Sequence, residues 1–178
     1  MARKKGKRSL STILVIAAIT VVAGIIVLAW LAGRPPEKQT REINVYFSDE
    51  DGLYLKAEKH SIEKGELPTE ARAALEALIN GPSSASLGKT LPQGTRLASL
   101  DIEGTTAVVN LSPEVIKNHE GGSSGELQTI YSIVDTLSLN FPEIKEVQIL
   151  VGGKKEETIA GHIDISQPLG PDRKIIKD

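Results

Sequence analysis

Chemistry in this sequence would have to come from three histidines, an acidic string or a glycine-serine loop. His60, His119 and His162 are far apart in the chain, whereas zinc ligands recur at spacings of about two to five residues. There is no cysteine to add a thiolate. No metal ligand is therefore nominated. Asp49-Glu50-Asp51-Gly52 offers carboxylates to calcium, but an EF-hand spreads its ligands over about twelve residues and closes on a glutamate. The string reads instead as a turn, where Asp and Gly tolerate unusual backbone angles. Gly121, Gly122, Ser123, Ser124 and Gly125 stand before a helix. They form a candidate anion or ligand loop, because free amides and the positive dipole end attract negative charge. The loop lacks the Lys-Ser/Thr of a P-loop and the dinucleotide fingerprint. Its serines lack a nucleophile elbow or a Ser-x-x-Lys base. The same residues also read as a flexible loop ending in a helix cap. Carboxylates are plentiful, but spacing alone does not set two of them across a cleft. Aromatic residues make up only 3% of the chain, which leaves little for sugar stacking. No catalytic residue and no cofactor-binding residue is nominated, and the expectation is a protein that is not an enzyme.

The elements that would position these groups are legible from periodicity. Ile43–Phe47 and Leu53–Ile62 read as strands around the acidic turn. Leu67–Asn80 reads as a helix with Thr69 as N-cap, with Ala74, Leu75, Leu78 and Ile79 on one face and Gly81-Pro82 as its stop. Thr95–Ile102 and Thr105–Leu111 form a second hairpin across Glu103-Gly104. Ser123-Ser124-Gly125-Glu126 matches a capping box. Behind it Leu127, Ile130, Tyr131, Val134 and Leu137 make one apolar stripe, closed by Phe141-Pro142. Lys145–Val151 alternates as a strand, and His162–Ile165 is a weaker one. The fold class expected is α+β, a two-layer sandwich in ββαββαβ order with two helices on one face of a sheet. It occupies residues 43–169, with a tail at 170–178.

Ahead of this domain the pattern changes. Arg3, Lys4, Lys5, Lys7 and Arg8 precede an uncharged run from Leu10 to Ala32, long enough at 1.5 Å per residue to cross a bilayer core of about 30 Å. The run exceeds the core of a cleavable signal and ends without Ala-x-Ala, so it reads as a retained signal anchor with Trp30 at the far interface. Its basic flank at residues 1–9 keeps the N-terminus cytoplasmic and the C-terminal domain extracytoplasmic. Residues 33–42, with Pro35-Pro36, read as a short linker. From Arg41 onward 14 Lys and Arg face 22 Asp and Glu, a net charge of −8. That balance excludes nucleic acid as a partner, since its phosphates demand clustered cations. Without disulfides, the apolar core alone must hold the domain.

Several strings in this order carry a resemblance: Ala74–Pro82, Leu91–Leu97, Ala107–Ser112, Phe141–Val147 and Ala160–Asp164. Together they resemble the GerMN domain of sporulation and spore-germination proteins, over about residues 43–169. The resemblance implies a non-catalytic extracytoplasmic domain related to the ring-building modules of sporulation complexes. It supplies no catalytic residues. Spore-forming relatives are typically lipoproteins with two such domains in tandem, whereas this chain has one domain and no cysteine. The reading that follows is a membrane-anchored assembly module that binds envelope or sporulation proteins or copies of itself. The alternative is a ligand-binding module for peptidoglycan or another envelope component.

Overall fold

The computed structural model describes residues 10–32 and 39–177. The expected cytoplasmic stub, residues 1–9, and residues 33–38 of the expected linker lie outside them. The chain divides after Lys38 into two compact units. Among the described residues the first holds one helix, α1 (Leu10–Ala32), which carries no charged residue. Its side chains from Ile13 to Trp30 are exposed all round, and this stretch is long and apolar enough to cross a membrane. A helix apolar on every face suits lipid or a protein interior, not water.

The second unit is an α+β domain. β1 (Thr40–Ser48) and β2 (Leu55–Glu63) pair antiparallel, with Ile43 opposite His60. α2 (Leu67–Asn80) follows, then the hairpin β3 (Leu97–Glu103) and β4 (Thr106–Leu111). A short helix, α3 (Glu114–Lys117), leads into α4 (Ser123–Ser138) and β5 (Glu146–Val151). β5 lies parallel to β4, Val109 opposite Ile149. A parallel pair cannot be joined by a tight turn, so α3 and α4 supply the crossover. A 3-10 turn, Arg173–Ile175, sits near the end of the described residues.

The strands fall into two sheets rather than one, β1-β2 and β3-β4-β5. α4 packs on β1, α2 and β5, and this placement changes what its sequence had to satisfy. Instead of one stripe, residues 128–130 and 132–137 are all buried. Ile130, Ile133, Val134 and Leu137 meet Ile43, Val45 and Phe47 of β1, Leu75 and Leu78 of α2, and Ala107, Val109, Val147 and Ile149 of the larger sheet in one core. In β4 Ala107, Val109 and Leu111 alternate inward, the period-two pattern of a strand with one buried face.

Three local expectations are corrected. α2 begins at Leu67 with Glu66 as N-cap and Pro68 in its first turn, so Thr69 is already inside the helix. Proline at that place loses nothing, because the first amides of a helix have no intrahelical acceptor. The second hairpin pairs Glu103 with Thr106, moving its two-residue loop to Gly104-Thr105. His162–Ile165 is not a strand. Its backbone is held by a glutamate side chain, described below.

Candidate functional site

A groove of about 890 Å³ opens between the α2–β3 connection and the start of α4. One wall is Lys89–Thr95, the other runs from Asn118 to Gly121, and Gly125, Gln128 and Thr129 of α4 lie between them. Asn118 Nδ2 donates to the Gln93 carbonyl at 2.7 Å and ties the two walls together. Thr95 Oγ1 donates to the Pro92 carbonyl at 2.7 Å and curls the first wall into a turn.

His119 fixes the second wall. The Gly121 amide donates to its Nδ1 at 2.9 Å, so Nδ1 is an acceptor and the ring proton sits on Nε2. Nε2 faces Thr129 Oγ1 at 3.2 Å, and that hydroxyl donates in turn to the Thr90 carbonyl at 2.6 Å. Each group in this relay has one consistent direction. Gly121 and Gly122, at φ of 86° and 84°, turn the backbone into α4 through a region that side-chain-bearing residues avoid.

Two of the lining residues each carry a buried polar atom without a partner. Thr90 Oγ1 and Gln128 Nε2 make no hydrogen bond, and their residues are only 8% and 6% exposed. A buried polar group without a partner costs about 1–3 kcal/mol, and such groups in a folded protein are uncommon. Both atoms are closed off from solvent, as are three more unpartnered polar atoms away from the groove, Asp135 Oδ2, Ser138 Oγ and Gln148 Oε1. The charged lining residues are Lys89 and Glu120, one of each sign and both exposed.

Of the five loop residues singled out from sequence, Gly121 and Gly125 line the groove, whereas Gly122, Ser123 and Ser124 are exposed and do not. The capping box is corrected. Gly122, not Ser123, is the N-cap, and no side chain caps the helix. Glu126 turns inward with its residue wholly buried. Its Oε1 accepts from the Ile159 and Ala160 amides at 3.0 and 2.7 Å, and its Oε2 accepts from the His162 amide at 2.8 Å and faces His162 Nδ1 at 3.0 Å. Burial pushes this carboxyl upward, but the Ala160 and His162 amides, the His162 ring and the Ile159 amide outweigh it and hold the group below its usual range. An ionised carboxylate in the first turn already complements the helix dipole. That weakens the case for a second anion there.

The other groups of chemical interest have comparable structural partners. Glu58 accepts from the Ser83 and Ser84 amides and meets His60 Nε2 at 2.7 Å. Asp49 Oδ1 accepts from the Leu53 and Tyr54 amides, closing the acidic turn. Among the described residues no three His, Asp or Glu side chains are grouped to hold a metal. Sequence reading missed Thr90 and Gln128. The available signal was a glutamine on a helix that also carries Thr129, Ser132, Asp135 and Thr136, too many polar residues for a half-exposed helix with one apolar stripe.

The fold and groove lie almost wholly inside residues 44–157, which match the family model described as Germane, sporulation and spore germination. The chain belongs to the Germane family. Its GerMN-type domain is similar to a crystal structure from Clostridium perfringens assigned as a lipoprotein, with 30% identity, TM-score 0.55, and coverage of 77% of this chain and 93% of that one. It is also similar to the first GerMN domain of the sporulation protein GerM from Bacillus subtilis, at 26% identity, TM-score 0.61, and coverage of 75% and 98%. The tandem GerMN domains of the same protein share its fold at 23% identity and TM-score 0.61, and the match covers 74% of this chain and 46% of the tandem. No curated protein matches the sequence.

Proposed function

We propose that this Germane-family chain is a membrane-anchored, extracytoplasmic module that binds other envelope or sporulation proteins, or copies of itself, without catalysing a reaction. Family membership over residues 44–157 is the observation that carries this reading. Two further features support it. Asp49, Glu58 and Glu126 accept from backbone amides, and His60 and His162 face two of these carboxylates, which gives these groups structural roles. α1 is long and apolar enough to hold the domain at a membrane, with the basic residues before it on the cytoplasmic side. Deleting the gene in a spore-forming host tests the role: spore yield or germination should fall, and an unchanged spore phenotype would remove it. A C-terminal alkaline phosphatase fusion tests the placement, since the enzyme is active only when exported.

A second reading is a ligand-binding module for peptidoglycan or another envelope component, for which the groove beside the start of α4 offers the space. Pull-down with purified cell wall tests this. If replacing Gly122 and Gly125 with bulkier residues leaves wall binding intact, the Gly121 to Gly125 loop is not the contact.

A further inference from the structure

We infer that residues 170–177 form a strap that closes over Asp135 of α4 while this acid is neutral and opens as it ionises. α4 carries two wholly buried carboxylates with different surroundings. Glu126 has four polar partners, the amides of Ile159, Ala160 and His162 and the His162 ring. Asp135 has the Asp172 amide on Oδ1 at 3.0 Å, and its Oδ2 has no partner. A buried carboxylate stays charged when several donors replace the water it has lost. One amide is too few, so the closed strap selects the neutral acid.

The strap itself is lightly held. None of residues 169–177 is buried. At its root Leu169 exchanges two 2.9 Å backbone bonds with Val147. At its end the Lys177 amide donates to the Leu55 carbonyl at 2.8 Å, and Lys177 Nζ lies 3.5 Å from Asp49 Oδ2. Between these points the Asp172 amide ties it to α4, while Asp172 Oδ1 accepts from the Lys174 amide within the strap's own turn. A segment with so few buried contacts opens well before the domain unfolds. Opening removes the Asp172 amide and lets water reach Asp135.

The groups around Asp135 set the sense of the response. From the strap, the Asp172 charge repels the ionised acid and Arg173 attracts it. Tyr46 of β1 and Tyr131 of α4 are pushed above their usual value of 10, mainly by burial, so both stay neutral across this range. α2 and β5 bring apolar Leu75, Leu78, Val147 and Ile149 to the same core. Burial under the closed strap pushes the carboxyl up to about 7, and an open strap returns it toward 3.8. Between these limits each opening releases a proton. Opening therefore becomes easier as pH rises, by up to about tenfold per unit, and levels off above 7.

Amide hydrogen exchange of the full-length chain in detergent micelles, read by NMR and corrected for the intrinsic rate at each pH, tests this. Protection of the Asp172 and Lys177 amides should fall about 50-fold from pH 5 to 7 and then level off. Urea at about 1 M should speed exchange at Val109, in the central strand of the larger sheet, and leave the strap amides unchanged, because the strap opens without the domain. Asp135→Asn should make strap protection independent of pH. Asp172→Asn keeps the backbone amide and removes the repelling charge, so protection should level off at a lower pH. The strap is ruled out as a pH-sensitive device if protection at Asp172 and Lys177 does not change with pH, or if Asp135→Asn keeps the fall. It is also ruled out if the strap amides follow Val109 in urea, or if Asp172→Asn leaves the levelling point in place or raises it.

Discussion

Glu126 shows how far a side chain's work can lie from the motif that contains it. Its place three residues after Ser123 is that of a capping box, yet its carboxylate holds residues more than thirty positions downstream. Glu126→Ala would leave three buried or half-buried amides without an acceptor, and we expect a loss of about 3 kcal/mol in urea unfolding. Glu126→Gln keeps an acceptor for Ile159 and Ala160 and should fall between the two. Asp135, also wholly buried, behaves in the opposite sense. Burial pushes its carboxyl up to about 7; the Asp172 amide draws it down, the Asp172 charge raises it and Arg173 lowers it. Between pH 3.8 and about 7 the folded protein holds a proton that the unfolded chain has released. The stability from Asp135 is thus full below pH 3.8 and lost as pH rises through 7. Glu126, held below the usual glutamate value of 4.5, contributes stability above that pH and loses it as pH falls. Stability should peak between the two limits. Asp135→Asn should remove the alkaline limb and gain about 2 kcal/mol at pH 8, less than the full shift implies because the Asp172 amide and Arg173 already offset part of the buried charge. Urea midpoints from pH 3 to 9 check both acids.

At the scale of elements, α4 completes β1. The edge of β1 away from β2 would present bare amides and carbonyls, which invite unwanted strand pairing. Asn140, just beyond α4, answers them as a strand would. The Asn44 amide donates to its Oδ1 at 2.9 Å, and its Nδ2 donates to the Asn44 carbonyl at 2.6 Å. The Tyr46 amide donates to Thr136 Oγ1 at 3.2 Å. Arg41 adds a clamp, donating to Glu70 of α2 at 2.8 Å and to the Asn140 carbonyl at 2.9 Å. Asn140→Ala should cost about 2 kcal/mol and make the Asn44 amide exchange with solvent much faster, as amide exchange NMR would show. Unchanged exchange would mean that another group covers this edge. Strand and helix identities were readable because the apolar periods of β4 and α2 are strong. The depth of α4 was not, since Thr129, Ser132, Asp135 and Thr136 look like a solvated face until β1, β5 and the segment after Gly170 are packed on them. The groove was half readable for the same reason: Gly121 and Gly125 carry a visible turn signal, whereas Thr90 and Gln128 come to it only when α4 packs beside the α2–β3 connection.

Over the whole molecule, the charges are sorted rather than balanced. A total of −2 conceals −8 from Arg41 onward and a basic cluster before α1. Under the proposed topology that asymmetry orients the anchor. Changing Arg3, Lys4, Lys5, Lys7 and Arg8 to Gln should lower the share of chains whose C-terminal domain an external protease can reach, and an unchanged share would place the orienting signal elsewhere. A last consequence comes from how residues 169–177 are fastened. Leu169 exchanges two 2.9 Å backbone bonds with Val147, the Asp172 amide reaches Asp135, and the Lys177 amide donates to the Leu55 carbonyl at 2.8 Å. A ribosome makes Lys177 about 120 residues after Leu55. The domain therefore stays unlatched while most of it is being synthesised, a timing that, under the proposed topology, would let the chain pass through a translocation channel before it closes.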